Sequence, residues 1–121
     1  MTDKEKNHKE NIENPLVRLT DKIINSDFFL AIGTEAYLRK LADPYSDVSI
    51  QIKIAEKYNK PTIILIDSKL PGVKKIELDR YFHDMNVIGV IETDWRDDSS
   101  INDAVHEIRD ILVKHGIKDD E

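Results

Sequence analysis

Three continuous apolar runs divide the chain. Phe28-Phe29-Leu30-Ala31-Ile32 ends at Gly33, Thr62-Ile63-Ile64-Leu65-Ile66 ends at Asp67, and Val87-Ile88-Gly89-Val90-Ile91 ends at Glu92. Each is the length of a strand and has no polar alternation. That is the pattern of strands buried on both faces of a parallel sheet. At least twenty residues separate one run from the next, enough for a crossover helix.

Helical stripes fill the intervals. Pro15 suits a helix start, and Leu16, Val17, Leu19, Ile23 and Ile24 follow on one side, ending near Asn25-Ser26. Ile101, Ala104, Val105, Ile108, Ile111 and Leu112 mark the last helix. Ser99 or Ser100 is expected to cap it, and Gly116 to end it. After the Pro71-Gly72 turn, Leu78, Tyr81, Phe82 and Met85 predict a shorter helix over residues 74–84. Val48, Ile50, Ile52 and Ile54 alternate as a strand would, but a crossover is required here and Ala55 to Tyr58 extend a helical face. A helix over residues 47–58 is therefore expected. The segment from Gly33 to Ser46 reads as a long loop without structure of its own, a length that is often functional.

The expected fold is α/β: a small open parallel sheet of about three strands flanked by helices, with sequential strand order. One domain over residues 15–117 fits the length, between a charged tail at 1–14 and a short acidic tail at 118–121. Such a sheet leaves the edge of the first strand open. A bare edge invites pairing, so the tail or another chain must cover it, which points to a homo-oligomer or a protein partner.

Composition narrows the chemistry. There is no cysteine, which removes thiolate catalysis, cysteine–zinc sites and disulfides, and suits a cytoplasmic location. The charged N-terminus does not read as a signal peptide, and the apolar runs are too short to span a bilayer. Net charge is -6 with acids and bases interspersed, so no basic stripe exists for nucleic acid. His8, His83, His106 and His115 are scattered without ligand-like companions, and Gly33 stands outside any phosphate-binding fingerprint. No cofactor or metal is implied.

Ligands of open parallel sheets collect beyond the carboxyl ends of the strands. On a helix starting at Asp47, Ser49, Lys53, Glu56 and Lys57 fall to the polar side, and Gln51 falls in the middle of the apolar arc, near that rim. A buried amide must find partners, either neighbouring backbone or a ligand. Glu92-Thr93-Asp94-Trp95-Arg96-Asp97-Asp98, with Asp67, is a second acidic candidate. Helix capping accounts for Asp97, Asp98 and Ser99, and Mg²⁺ binding would need convergence that spacing does not specify.

Several segments together resemble the later part of a TIR (Toll/interleukin-1 receptor-like) domain, over about residues 16–114. These are Ile24-Asn25-Ser26-Asp27 leading into the first strand, Tyr37 after it, Gln51-Ile52-Lys53-Ile54-Ala55, and Lys60-Pro61-Thr62-Ile63-Ile64-Leu65-Ile66. The helix-to-strand stretch is also similar to nucleoside 2-deoxyribosyltransferase-like proteins. The resemblance implies a flavodoxin/TIR-like sheet, lacking the family's first strand and the nucleotide-binding loop after it. It implies a ligand site at Gly33, Thr34, Glu35, Tyr37 and Gln51, taking a nucleotide-like ligand. In enzymatic members a helix glutamate attacks the N-glycosidic bond of NAD or a nucleoside, and the matching position here is Gln51. An amide supplies neither the charge nor the base. The expectation is thus a non-catalytic interaction or nucleotide-sensing module with no catalytic residue. The alternative is an N-glycosidic hydrolase or transferase using Glu35 or an acid of the third loop, since Glu56 faces solvent.

Overall fold

The computed structural model describes residues 15–117; the two tails assigned above lie outside the described residues. The elements are α1 (Pro15–Ile24), β1 (Phe29–Gly33), α2 (Glu35–Leu41), α3 (Asp47–Lys57), β2 (Thr62–Asp67), α4 (Gly72–Tyr81), β3 (Val87–Thr93) and α5 (Asp98–Lys114). The strands form one open parallel sheet in the order β1-β2-β3.

Alternation along the strands splits the core in two. Phe29, Ala31 and Gly33 of β1 stand beside Thr62, Ile64 and Ile66 of β2. This side packs against Ile23 of α1, Leu38 and Leu41 of α2, Ile52 and Ala55 of α3, and Leu78 and Phe82 at α4. The opposite side carries Ile63, Leu65 and Ile91, which pack against Ala104 and Leu112 of α5. Successive right-handed crossovers in one direction put their helices on one face, so the helix after β3 is left to cover the other. One helix covers it incompletely: α5 packs along β3, and Leu30 on β1 remains 37% exposed.

Two helix ends are closed by the same device. Asn59 adopts φ 51° after α3, and Gly116 adopts φ 72° after α5. In each case the next residue donates back across the last turn: Lys60 N to Ala55 O at 2.9 Å, and Ile117 N to Leu112 O at 2.8 Å. Glycine reaches this left-handed region freely, and asparagine is the side chain that tolerates it best. The turn at Asn59 also aims the Lys60 side chain at α1. Its Nζ donates to Ile24 O at 2.6 Å and Ser26 O at 2.9 Å, capping a helix 36 residues earlier in the chain.

The structure departs from sequence expectation at four points. The segment after Gly33 is not a structureless loop, because α2 occupies Glu35–Leu41. Thr34 starts it as N-cap, its Oγ1 accepting from Tyr37 N at 3.2 Å, and Leu38 and Leu41 bury its inner face. The cap of α5 is Asp97, whose carboxylate accepts from Ser99 N at 3.1 Å. Ser100 Oγ instead accepts from Asp94 N at 3.0 Å, holding the preceding loop. Helix α4 begins two residues before its expected start, directly after Pro71, and ends at Tyr81. Finally, Ser49 lies inside rather than on the polar side of α3. Its hydroxyl reaches Asp43 O at 2.8 Å and lies 3.3 Å from Lys40 O and Leu41 O, meeting carbonyls at the end of α2. The existence of α2 brings Ser49 indoors, since α3 packs against that helix as well as above the sheet.

The β2–β3 pairing contains one irregularity. Thr62 pairs with Val87 and Ile63 with Gly89, so Ile88 is an extra residue in β3.

Candidate functional site

The carboxyl rim of the sheet gathers Gly33-Thr34, Asp67-Ser68 and Thr93-Asp94. Ser68 N donates to Thr93 O at 3.0 Å and ties the second and third loops together. Gly33 ends β1 in a buried position. A Cβ there would lie 2.5 Å from Leu78 Cδ2 and 3.3 Å from the Leu65 carbonyl oxygen, so its missing side chain lets α4 close on the sheet just below the rim. Thr34 is occupied as the α2 cap.

Glu35 opens α2 and points outward. Its side chain is 61% exposed, and its carboxylate is 4.0 Å from Arg39 Nη1, one turn along. Tyr37 is the inward counterpart. Its ring packs against the multi-helix core, and its hydroxyl is buried with no hydrogen-bond partner among the described residues. Burial pushes its pKa well above the ordinary phenol value, since phenolate has nothing to offset desolvation.

Gln51 is half-buried on α3. The centre of the inward arc belongs to Ser49, Ile52 and Ala55, so Gln51 sits on its flank rather than in its middle. The displacement follows from the inward turn of Ser49. No side-chain hydrogen bond ties the Gln51 amide to another described residue. Glu56 is exposed.

The acidic candidate resolves into separate local roles. Asp67 Oδ1 accepts from Lys69 N at 3.0 Å, and Glu92 Oε1 pairs with Lys75 Nζ at 3.1 Å. Asp94 Oδ1 accepts from Arg96 N at 3.1 Å. That backbone hydrogen bond, with smaller help from the charges of Lys69 and Arg96, holds the Asp94 carboxyl below its usual pKa. Among the described residues no three histidine or acidic side chains converge as a metal site would need.

The third loop holds a feature that carboxylate counting missed. Thr93 is 1% exposed, and its Oγ1 has no hydrogen-bond partner among the described residues; neither has the buried Nε1 of Trp95. The indole itself packs into the α5 core. For Thr93 the signal lay in the strand period, which turns it to the same side as Ile91, whereas Trp95 lies past the end of β3 in the turn before α5.

Two clefts lie away from these residues. One, of about 610 Å³, is lined by Arg18, Leu19, Asp21, Lys22 and Asn25 of the α1 region and by Asp47 of α3. The other, of about 580 Å³, is lined by Val73, Ile76, Glu77, Arg80 and Tyr81 of α4. Neither is bordered by Gly33, Thr34, Glu35, Tyr37 or Gln51. No described helix is long and apolar enough to cross a membrane.

No protein-family model, curated protein or solved structure matches the chain. The class stands on the coordinates themselves: an α/β domain with a small open three-stranded parallel sheet flanked by helices.

Proposed function

We propose that this domain is a non-catalytic TIR-like interaction or nucleotide-sensing module acting in the cytoplasm. The observation that carries the reading is the placement of the two side chains that could act on an N-glycosidic bond. The α3 position matched to the family's glutamate is Gln51, an amide, and the nearest substitute, Glu35, projects to solvent beside Arg39. A solvated carboxylate paired with a guanidinium is poorly suited to stabilise an oxocarbenium-like centre. An amide can still donate to and accept from a bound ligand. Gln51, half-buried and with no side-chain hydrogen bond to another described residue, is the group suited to contact a nucleotide-like ligand without cutting it. The β1 edge, along which no described strand lies, is suited to a protein partner.

The test is incubation of the full chain with NAD and with nucleosides, followed by chromatography for released base. No release is expected even at high protein concentration. Thermal unfolding should shift upward with a nucleotide that binds the folded state, and Gln51→Ala should abolish that shift. Release of free base that Glu35→Gln abolishes would instead establish the glycosidase alternative.

A further inference from the structure

Phe29 N donates to Pro61 O at 2.8 Å, which fixes the side of β1 that faces β2. Parallel pairing alternates every second residue. Ala31 and Gly33 therefore also turn their backbone groups to β2, while Leu30 and Ile32 turn theirs to the open edge. The Ile32 carbonyl accepts from Thr34 N at 2.9 Å, but no described strand lies along that side of the sheet. The strand reads Phe-Leu-Ala-Ile-Gly and has none of the lysines, prolines or bulges with which exposed edges are usually guarded.

Helix α1 extends the same surface. Its Leu19 and Ile23 face the core, and Arg18, Leu19 and Lys22 border the cleft shared with Asp47 of α3. Around the helix, the sector next to Ile23 and opposite α3 holds Thr20 and Ile24, with Leu16 and Val17 continuing it. With α3 on one flank and the sheet beneath, this sector overhangs the free edge of β1. Ile24 is 36% exposed there, close to the exposure of Leu30 on the strand. The result is an L-shaped surface: a row of strand hydrogen-bonding groups for a floor and an apolar helix flank for a wall.

We propose that a second copy of this chain occupies that surface. The two β1 strands would pair antiparallel about Ala31, and the two α1 helices would meet above them. This names the partner for the edge in the interaction reading above, on which it rests. Self-pairing is favoured on three grounds. A two-fold about Ala31 sets Leu30 opposite Ile32 of the other copy, satisfying the outward backbone groups of both. Thr20, Ile24, Leu30 and Ile32 carry no charge, so the centre of the contact between copies, each of net charge -6, holds no like charges. A strand of five residues beside a helix of ten provides fewer than the roughly 20–30 residues per side of a standard interface, which suits a reversible homodimer.

The test uses the full chain, with sedimentation velocity and amide hydrogen exchange from micromolar to near-millimolar protein. A monomer–dimer equilibrium is expected. The Leu30 and Ile32 amides should exchange more slowly as dimer accumulates, while those of Ala31 and Gly33, already in the β2 ladder, change little. Leu30→Lys and Ile24→Lys should each weaken association about tenfold or more. Val113→Lys, on the exposed side of α5, should leave it unchanged. Circular dichroism confirms that the variants fold, and the wild-type exchange pattern decides the matter if one does not. A chain monomeric at every concentration overturns the proposal. So does a dimer that leaves Leu30 and Ile32 exchange unaltered. A monomer whose edge is protected only by a different protein overturns self-pairing and leaves the interaction reading standing. Base release from NAD overturns that reading and leaves self-pairing standing.

Discussion

Lys60 offers the sharpest test of how this fold is held together. Its ammonium donates at 2.6 Å to Ile24 O and at 2.9 Å to Ser26 O, the last carbonyls of α1 and the turn after it. Lys60→Met keeps the apolar stem and removes only the charged head. Each charge-assisted hydrogen bond is worth about 1.5–3 kcal/mol when shielded. Lys60 is half-buried and one of the two bonds is exposed, so the sum must be discounted for solvent. A net loss of about 2 kcal/mol is expected, including the contribution of a cation at a helix C-terminus. Urea unfolding measures it directly: the midpoint should fall with an unchanged slope. For a domain of this size the melting temperature should drop by roughly 10 °C. Amide exchange should show the loss concentrated in α1, with faster exchange at Asn25 and Ser26, whose N–H groups bond to Asp21 O and Ile23 O. A loss below about 0.5 kcal/mol would refute the reasoning, because it would place the pair among surface interactions of no consequence.

Three other outcomes follow from buried or capping groups. Tyr37→Phe removes a buried hydroxyl that has no partner, so stability should hold or rise by up to about 1 kcal/mol; a clear loss in urea titration would show that a water or ligand satisfies it. Ser49→Ala strips the donor from the α2 end and should cost about 1–2 kcal/mol by the same titration, since Ser46 Oγ still donates to Lys40 O. The Asp94 carboxyl should titrate by NMR below the ordinary aspartate range. A depressed folded-state pKa means its stabilisation is complete above the unfolded value and fades as pH falls through the folded one. Because the Arg96 backbone N–H is the main cause, Arg96→Gln should preserve most of the depression.

The sheet was legible because its three runs are almost wholly apolar, although only β2 is buried along both faces while β1 and β3 leave Leu30 and Val90 exposed. Both left-handed helix ends follow helical faces, and one was readable as Gly116. Helix α2 was not anticipated, although Thr34 before Glu35-Ala36-Tyr37-Leu38 is a sound cap and start. The expected strand-to-helix connection absorbed it into a loop. That omission propagated. Without α2 there is nothing for Ser49 to bond, so Ser49 was assigned outward and Gln51 to the middle of the inward arc. The orphaned Thr93 and Trp95 donors are less legible for another reason: they are neutral groups within an acidic run, and only Thr93 lies within the strand whose period sets its side.

The extra residue at Ile88 limits how this molecule can assemble. A bulge twists β3 locally, and Glu92 with Lys75 places charge near that strand's end, so the far border of the sheet is a poor template for further strands. Only β1 presents a straight, uncharged border. If β1 pairs as proposed, a sheet whose other border is bulged and charged consumes its valence in a single union. Growth would stop at a closed pair of molecules, a terminating stoichiometry, whereas two open borders would polymerise without end.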